Sequence, residues 1–168
     1  MIIGIDVDDT LVSTSESFDK VLKKYNINFN KKFKDDWTED EIKFIFDNHL
    51  EEILLDAKIK EGAKEVIEYL NNKNYKLTII TARSNKYKQN IIQRTIAQLK
   101  KEGINISEFY FEEEEKSTLA KQLKLDLMID DSKYVYNNMK NVGIDCILFG
   151  DKIKTWNEVL QYIKEKEV

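Results

Sequence analysis

Short apolar runs recur along the chain, separated by longer stretches with helical spacing. Ile2, Ile3 and Ile5 make the first run, and Leu77 to Ile80, Phe109 to Phe111, Leu125 to Ile129 and Ile144 to Phe149 follow. Runs this short and this uniformly apolar predict strands buried on both faces, as in a parallel sheet. Between them the apolar positions return every three or four residues. Phe18, Val21, Leu22 and Tyr25 follow the helix-start signal Ser13-Thr14-Ser15-Glu16, whose hydroxyls are expected to cap free N–H groups, and this helix stops near residues 26–30. A polar stretch, 31–36, leads to Thr38 and Glu41, which have capping-box spacing. Behind them runs the stripe Ile42, Ile45, Phe46, His49, Leu50, Ile53 and Leu54.

After Gly62 the spacing predicts helices over Ala63 to Asn72, about Asn85 to Glu102 with Gly103 as C-cap, from Lys116 through Leu123, Tyr134 to Asn141, and Trp156 to Ile163. Strands alternating with helices at this period predict an α/β fold, a doubly wound parallel five-stranded Rossmann-like sheet. About 45 residues, nearly all helical, separate the first strand from residue 59, which is long for a crossover connection. The expected division is a core of residues 1–13 and 59–168 with a small helical cap, 14–58, inserted after strand 1. The simpler alternative is a pair of ordinary crossover helices.

At 168 residues and 42% hydrophobic the chain can bury one sizeable core. A net charge of −4 and a pI near 5.3 argue against a protein built to grip duplex nucleic acid, without excluding a small phosphorylated substrate. The single cysteine, Cys146, lies in an apolar run and is read as a buried strand residue, so no disulfide framework forms. No stretch approaches the roughly 18 apolar residues of a membrane span. The first residues carry no leader pattern, so a soluble, cytoplasmic protein is expected.

The chemistry sits where the strands end. Strand 1 runs into Asp6, Asp8 and Asp9, strand 2 into Thr81-Ala82-Arg83, strand 4 into Asp130-Asp131-Ser132, and Lys116 lies shortly after strand 3. In a parallel sheet these carboxyl ends share one edge, where ligands bind. Carboxylates gathered there repel one another without a cation, and an oxygen-only set suits Mg²⁺. A strand followed by an acidic helix-capping turn is the plain alternative for Asp6 and Asp8. The Glu112 to Glu115 run reads as a solvated helix start.

The order Asp-x-Asp-x-Thr, apolar run-Thr, Lys, apolar run-Asp-Asp resembles the four motifs of the haloacid dehalogenase (HAD) superfamily phosphatases across nearly the whole chain. The resemblance implies Asp6 as nucleophile and Asp8 as general acid and base. It further implies Thr81, the backbone at Ala82, and Lys116 as phosphate ligands, with Lys121 a weaker substitute for the lysine. Mg²⁺ would be held by Asp6, the Asp8 carbonyl and the Asp130-Asp131 pair, with Asp130 assigned the direct contact and Asp131 the lysine-orienting or water-mediated one, the reverse order being the alternative. One departure is Asp9, where the superfamily often has glycine. Asp-Val-Asp-Asp-Thr-Leu, Thr-Ala-Arg and Ile-Asp-Asp-Ser look like the 5′(3′)-deoxyribonucleotidase-related group, and the insertion is similar to the C1 cap class.

The implied function is a Mg²⁺-dependent phosphomonoester hydrolase, a 5′-nucleotidase acting on (deoxy)nucleoside monophosphates through an aspartyl-phosphate. Alternatives are a hydrolase of sugar phosphates or other small phosphomonoesters, a polynucleotide 3′-phosphatase, and a catalytically silent binding module. Phe18 and Trp37 are the candidates for stacking a base, with Phe44 and Phe46 behind them, and each also suits cap packing. Arg83 is a candidate phosphate ligand or else an exposed ion pair. His49 is read as a packing residue.

Overall fold

The computed structural model describes residues 1–28 and 37–167; the polar stretch 31–36 lies outside them. The elements run β1 (Ile2–Ile5), α1 (Thr14–Lys24), α2 (Glu39–Leu55), α3 (Ala63–Asn72), β2 (Lys76–Ile80), α4 (Ile91–Lys101), β3 (Glu108–Tyr110), α5 (Ser117–Leu123), β4 (Leu127–Asp130), α6 (Lys133–Asn141), β5 (Asp145–Leu148) and α7 (Trp156–Lys166). All five strands are parallel, in the order β3-β2-β1-β4-β5. The chain order reverses between β1 and β4, and the carboxyl ends at such a switch point form a crevice.

Alternation along β1 decides what each sheet face receives. Ile3 and Ile5 enter a large cluster with Val66, Ile67 and Leu70 of α3, Leu99 of α4 and Trp156, Val159 and Ile163 of α7. The opposite face packs Ile80 and Met128 against Ala120 of α5 and Val135 and Met139 of α6. Gly4 points to that second face. A Cβ there would lie 2.7 Å from both Leu125 Cδ1 and Met128 Sδ, so any side chain at this point would have to displace the ends of those two. Cys146 packs on the same face, where burial pushes its thiol up to about 12.

Helices α1 and α2 pack on each other around a third cluster, Phe18, Val21, Ile45 and Ile53. The two chain segments that connect them to the sheet are paired: Ser13 N donates to Lys58 O at 2.8 Å and Lys60 N to Leu11 O at 2.9 Å. Thr38 and Glu41 form the capping box expected from their spacing. At α1 the expectation is corrected. The hydroxyls of Thr14 and Ser15 do not cap the helix but bond Asp8 and Asp9, and it is the Asp9 carboxylate that accepts from Ser15 N, at 2.7 Å.

The helix expected from Asn85 begins only at Ile91, after turns, with Asn90 in the left-handed region. Ser84 Oγ accepts from Lys86 N and Asn85 Oδ1 from Ile92 N, and such side-chain bonds compete with helical ones. Strand limits β3, β4 and β5 lie within two residues of the expected ones. Among the described residues no helix is long and apolar enough to cross a membrane.

Candidate active site

Register brings the strand ends together. Ile5 is level with Ile79 and Ile129, so the next residue, Asp6, lies beside Asp130, and its N–H donates to Ile129 O at 3.0 Å. Lys116 precedes α5 in a left-handed conformation, φ 65°, which costs a side-chain-bearing residue on the order of 1 kcal/mol. Two ion pairs offset it: Lys116 Nζ lies 2.6 Å from Asp6 Oδ1 and 2.7 Å from Asp130 Oδ2. All three are buried, at 6% exposure for Asp6, 4% for Lys116 and 1% for Asp130. Asp130 Oδ1 accepts from Ser132 N at 2.9 Å. Both oxygens of Asp130 are therefore engaged, one of them by the lysine.

Asp131 is exposed, and one oxygen each from Asp6, Asp130 and Asp131 lie within 4.8 Å of one another. Burial, together with Asp130 and Asp8 and against the pull of Lys116, pushes the Asp6 carboxyl up to about 8. Partial desolvation of its carboxyl, with Asp130 and Asp9 beside it, pushes Asp131 up to about 6. Lys116 is raised despite its burial, because Asp6 and Asp130 hold its charge. The cluster thus sets three carboxylates against one ammonium. The deficit of two matches one divalent cation, and an all-oxygen donor set is the kind Mg²⁺ takes.

Asp8 is turned elsewhere. Its Oδ1 accepts from Thr14 Oγ1 at 2.5 Å, and Arg83 grips both oxygens, with Nη2 2.8 Å from Oδ1 and Nε 3.1 Å from Oδ2. Burial raises this carboxyl, but the Arg83 charge and the hydrogen bonds of Arg83 and Thr14 outweigh it and hold Asp8 below the usual carboxylate range. Arg83 is accordingly neither an exposed ion pair nor free for a phosphate: it is 4% exposed and pairs with Asp8. No sequence signal names Arg83's other partners, Thr95 and the Leu54 carbonyl, and the acid-holding role of Thr14 went equally unseen.

Thr81 is buried just past β2, its Oγ1 accepting from Arg83 N at 3.2 Å, and Ala82 is exposed at the following turn. Asp9 has φ 58°, the left-handed region that favours glycine, which aspartate tolerates better than most residues. Its carboxylate bonds Ser15 N and Oγ, so the additional acid closes the turn. Glu115 bonds Ser117 and Thr118 at the start of α5, and Lys121 is exposed along that helix.

The aromatic candidates lie on or beside α1 and α2. The Phe18 and Trp37 rings meet at 5.2 Å on the α1–α2 cluster. Phe46 meets Tyr87 at 5.4 Å, and His49 sits between Tyr25 and Phe44. Packing with neighbouring rings is what the structure shows for all of them.

No curated protein sequence matches the chain. Solved structures do match its fold. A HAD-superfamily hydrolase from Ehrlichia chaffeensis superposes with a TM-score of 0.61 at 13% identity, over 99% of this chain and 97% of that one. The magnesium-bound YfnB of Bacillus subtilis, described as a HAD-hydrolase, gives 0.65 at 13% identity, over 97% and 98%. A haloacid dehalogenase-like hydrolase from Streptococcus pneumoniae gives 0.63 at 15% identity, over 96% and 90%. What these share with the chain is the fold. A family model described as "Protein of unknown function (DUF2608)" matches residues 1–145. The chain thus belongs to the DUF2608 family and folds as the HAD-superfamily hydrolases do.

Proposed function

We propose that this protein is a Mg²⁺-dependent phosphomonoester hydrolase that works through an aspartyl-phosphate on Asp6. The observation that carries the reading is the buried Lys116 bridging Asp6 and Asp130 at the switch point, with Asp131 completing a donor set short of two positive charges. Asp6, Asp131 and the Asp8 carbonyl would hold the cation, while Asp130 fixes Lys116. When bound, the ion supplies the charge that keeps Asp6 ionised and neutralises the incoming phosphoryl oxygens.

Asp6 Oδ2 is the oxygen that Lys116 does not take, and it is the attacking atom. As its bond to phosphorus forms, the ester P–O bond breaks, and the departing alkoxide receives a proton from Asp8. Water then attacks phosphorus, passes a proton to Asp8, and releases inorganic phosphate and Asp6. Held ionised by Arg83, Asp8 is suited in the free enzyme to the second step. The approach of a phosphate dianion raises its proton affinity for the first. Lys116 and Thr81 with its adjoining backbone counter the phosphoryl charge.

The helical insertion, residues 14–58, acts as a cap, and its paired connecting segments at 11–13 and 58–60 form the neck. Within the substrate class, (deoxy)nucleoside monophosphates rest on motif resemblance. Phe18 and Trp37 pack on each other, and small phosphomonoesters such as sugar phosphates are equally compatible with the site. Net acidity disfavours polynucleotide 3′-ends.

The test is release of p-nitrophenol from p-nitrophenyl phosphate, with and without Mg²⁺, by the wild type and Asp6→Asn. Turnover that needs both the metal and Asp6 supports the reading. No wild-type turnover between pH 5 and 9 would refute it in favour of the silent binding module. A panel of deoxynucleoside monophosphates and sugar phosphates then assigns the substrate class.

A further inference from the structure

Arg83 spends its hydrogen bonds inside the protein. Nε and Nη2 hold Asp8, Nη1 donates to Thr95 Oγ1 at 3.0 Å, and Nη2 also donates to Leu54 O at 3.1 Å. Thr95 is a fully buried residue of α4, and Leu54 lies in the last turn of α2, which carries no basic residue of its own. The planar guanidinium is therefore fixed at three corners, by the core helix, by the end of the inserted helix and by the acid. Long cationic side chains are otherwise rotamer-rich, and a fork tied down in this way holds a carboxylate in one orientation.

The two oxygens of Asp8 are treated unequally. Among the described residues, Oδ1 takes Thr14 Oγ1, Arg83 Nη2 and, at 3.3 Å, Arg83 Nε, whereas Oδ2 takes only Arg83 Nε. Oδ1 has no capacity left for a proton and Oδ2 does.

We infer that Arg83, fixed by Thr95 and the Leu54 carbonyl, is the positioning residue of Asp8, occupying Oδ1 so that Oδ2 is the atom that exchanges a proton with the substrate. The inference rests on the proposed reading of Asp8 and adds to it which oxygen works and what orients it. Arg83 acts through Asp8: its closest bond goes to Oδ1, at 2.8 Å, and the single bond of Nε to Oδ2, at 3.1 Å, leaves that oxygen able to take a proton. It also ties the orientation of the acid to the seating of α2, so that a shift of the inserted helices reaches Asp8 through one shared nitrogen.

The experiment compares p-nitrophenyl phosphate, whose leaving group departs without a proton, with phenyl phosphate, whose leaving group needs one. The leaving-group burst is measured for the wild type, Arg83→Gln and Thr95→Val, each also in an Asp8→Asn background. The expected result is a loss at least about tenfold greater on phenyl phosphate for Arg83→Gln, with a smaller bias of the same sign for Thr95→Val and no bias once Asp8 is Asn. Thr95→Val removes one hydroxyl at nearly constant volume and carries the test should Arg83→Gln not fold. Equal losses on both substrates, or a bias that persists without the Asp8 carboxylate, would overturn the inference while leaving the hydrolase intact. A wild type inactive on p-nitrophenyl phosphate would overturn the proposed function and this inference with it.

Discussion

Asp6 is a buried acid with one cation beside it and two further acids within reach, and its energetics follow from that imbalance. The folded protein binds protons at Asp6 and Asp131 that the unfolded chain has already released by pH 4 to 5. Because folding takes up protons in that window, these two groups weaken the metal-free protein as pH rises, by way of Asp131 up to about 6 and Asp6 up to about 8. Asp8 has the opposite sign: its contribution is present above the normal carboxylate range and is lost as pH falls through its lowered value. A divalent cation needs the carboxylates ionised. The rise in melting temperature on adding Mg²⁺ should therefore be larger at pH 8 than at pH 5.5, and an equal or smaller rise at pH 8 would contradict the donor set.

Lys116→Met leaves Asp6 and Asp130 buried without their counter-charge. It should cost about 3 to 5 kcal/mol in urea unfolding at pH 8 without metal, whereas an unchanged midpoint would show that the pair contributes nothing. Asp6 was legible because it stands where an apolar run stops, and Lys116 because it opens a helix shortly after one, but the pairing of Asp8 with Arg83 was not. It depends on a threonine of α4 and a carbonyl of α2 meeting one guanidinium, and no local pattern records that.

Elements succeed or fail as their local signals agree. The α2 start was readable because Thr38 and Glu41 satisfy each other within four residues. The α4 start was not, because Ser84 and Asn85 draw the backbone into turns that a hydrophobic count cannot see. Strand β1 carries its own constraint at Gly4, where the α5–α6 side closes onto the backbone. Gly4→Val should destabilise by about 1 to 3 kcal/mol through overpacking, read as a lowered denaturation midpoint, and a neutral result would mean that Leu125 and Met128 give way. The left-handed Asp9 shows the reverse case. A position suited to glycine is held by a residue whose side chain repays the backbone by closing the turn onto α1.

For the molecule as a whole, the alternation of short apolar runs and amphipathic helices was enough to give the parallel sheet, since buried strands and crossover helices need different hydrophobic periods. The strand order follows from that alternation only through the handedness of the connections. The seating of α1 and α2 had no such rule behind it. It is set by contacts such as Gln98 with the Leu55 and Ala57 carbonyls and Arg94 with Glu51, spread over distant segments. The account rests on the sheet edge gathering Asp6, Lys116, Asp130 and Asp131 into a site that takes a divalent cation and a phosphoryl group together. Thermal unfolding with Mg²⁺ and beryllium fluoride, a mimic of the acyl phosphate, tests this most directly. Wild-type protein should gain at least about 5 °C over Mg²⁺ alone, as expected for ligand near a hundredfold above its dissociation constant, and Asp6→Asn should gain nothing. A wild-type melting temperature that does not move, or an equal gain in Asp6→Asn, would contradict it.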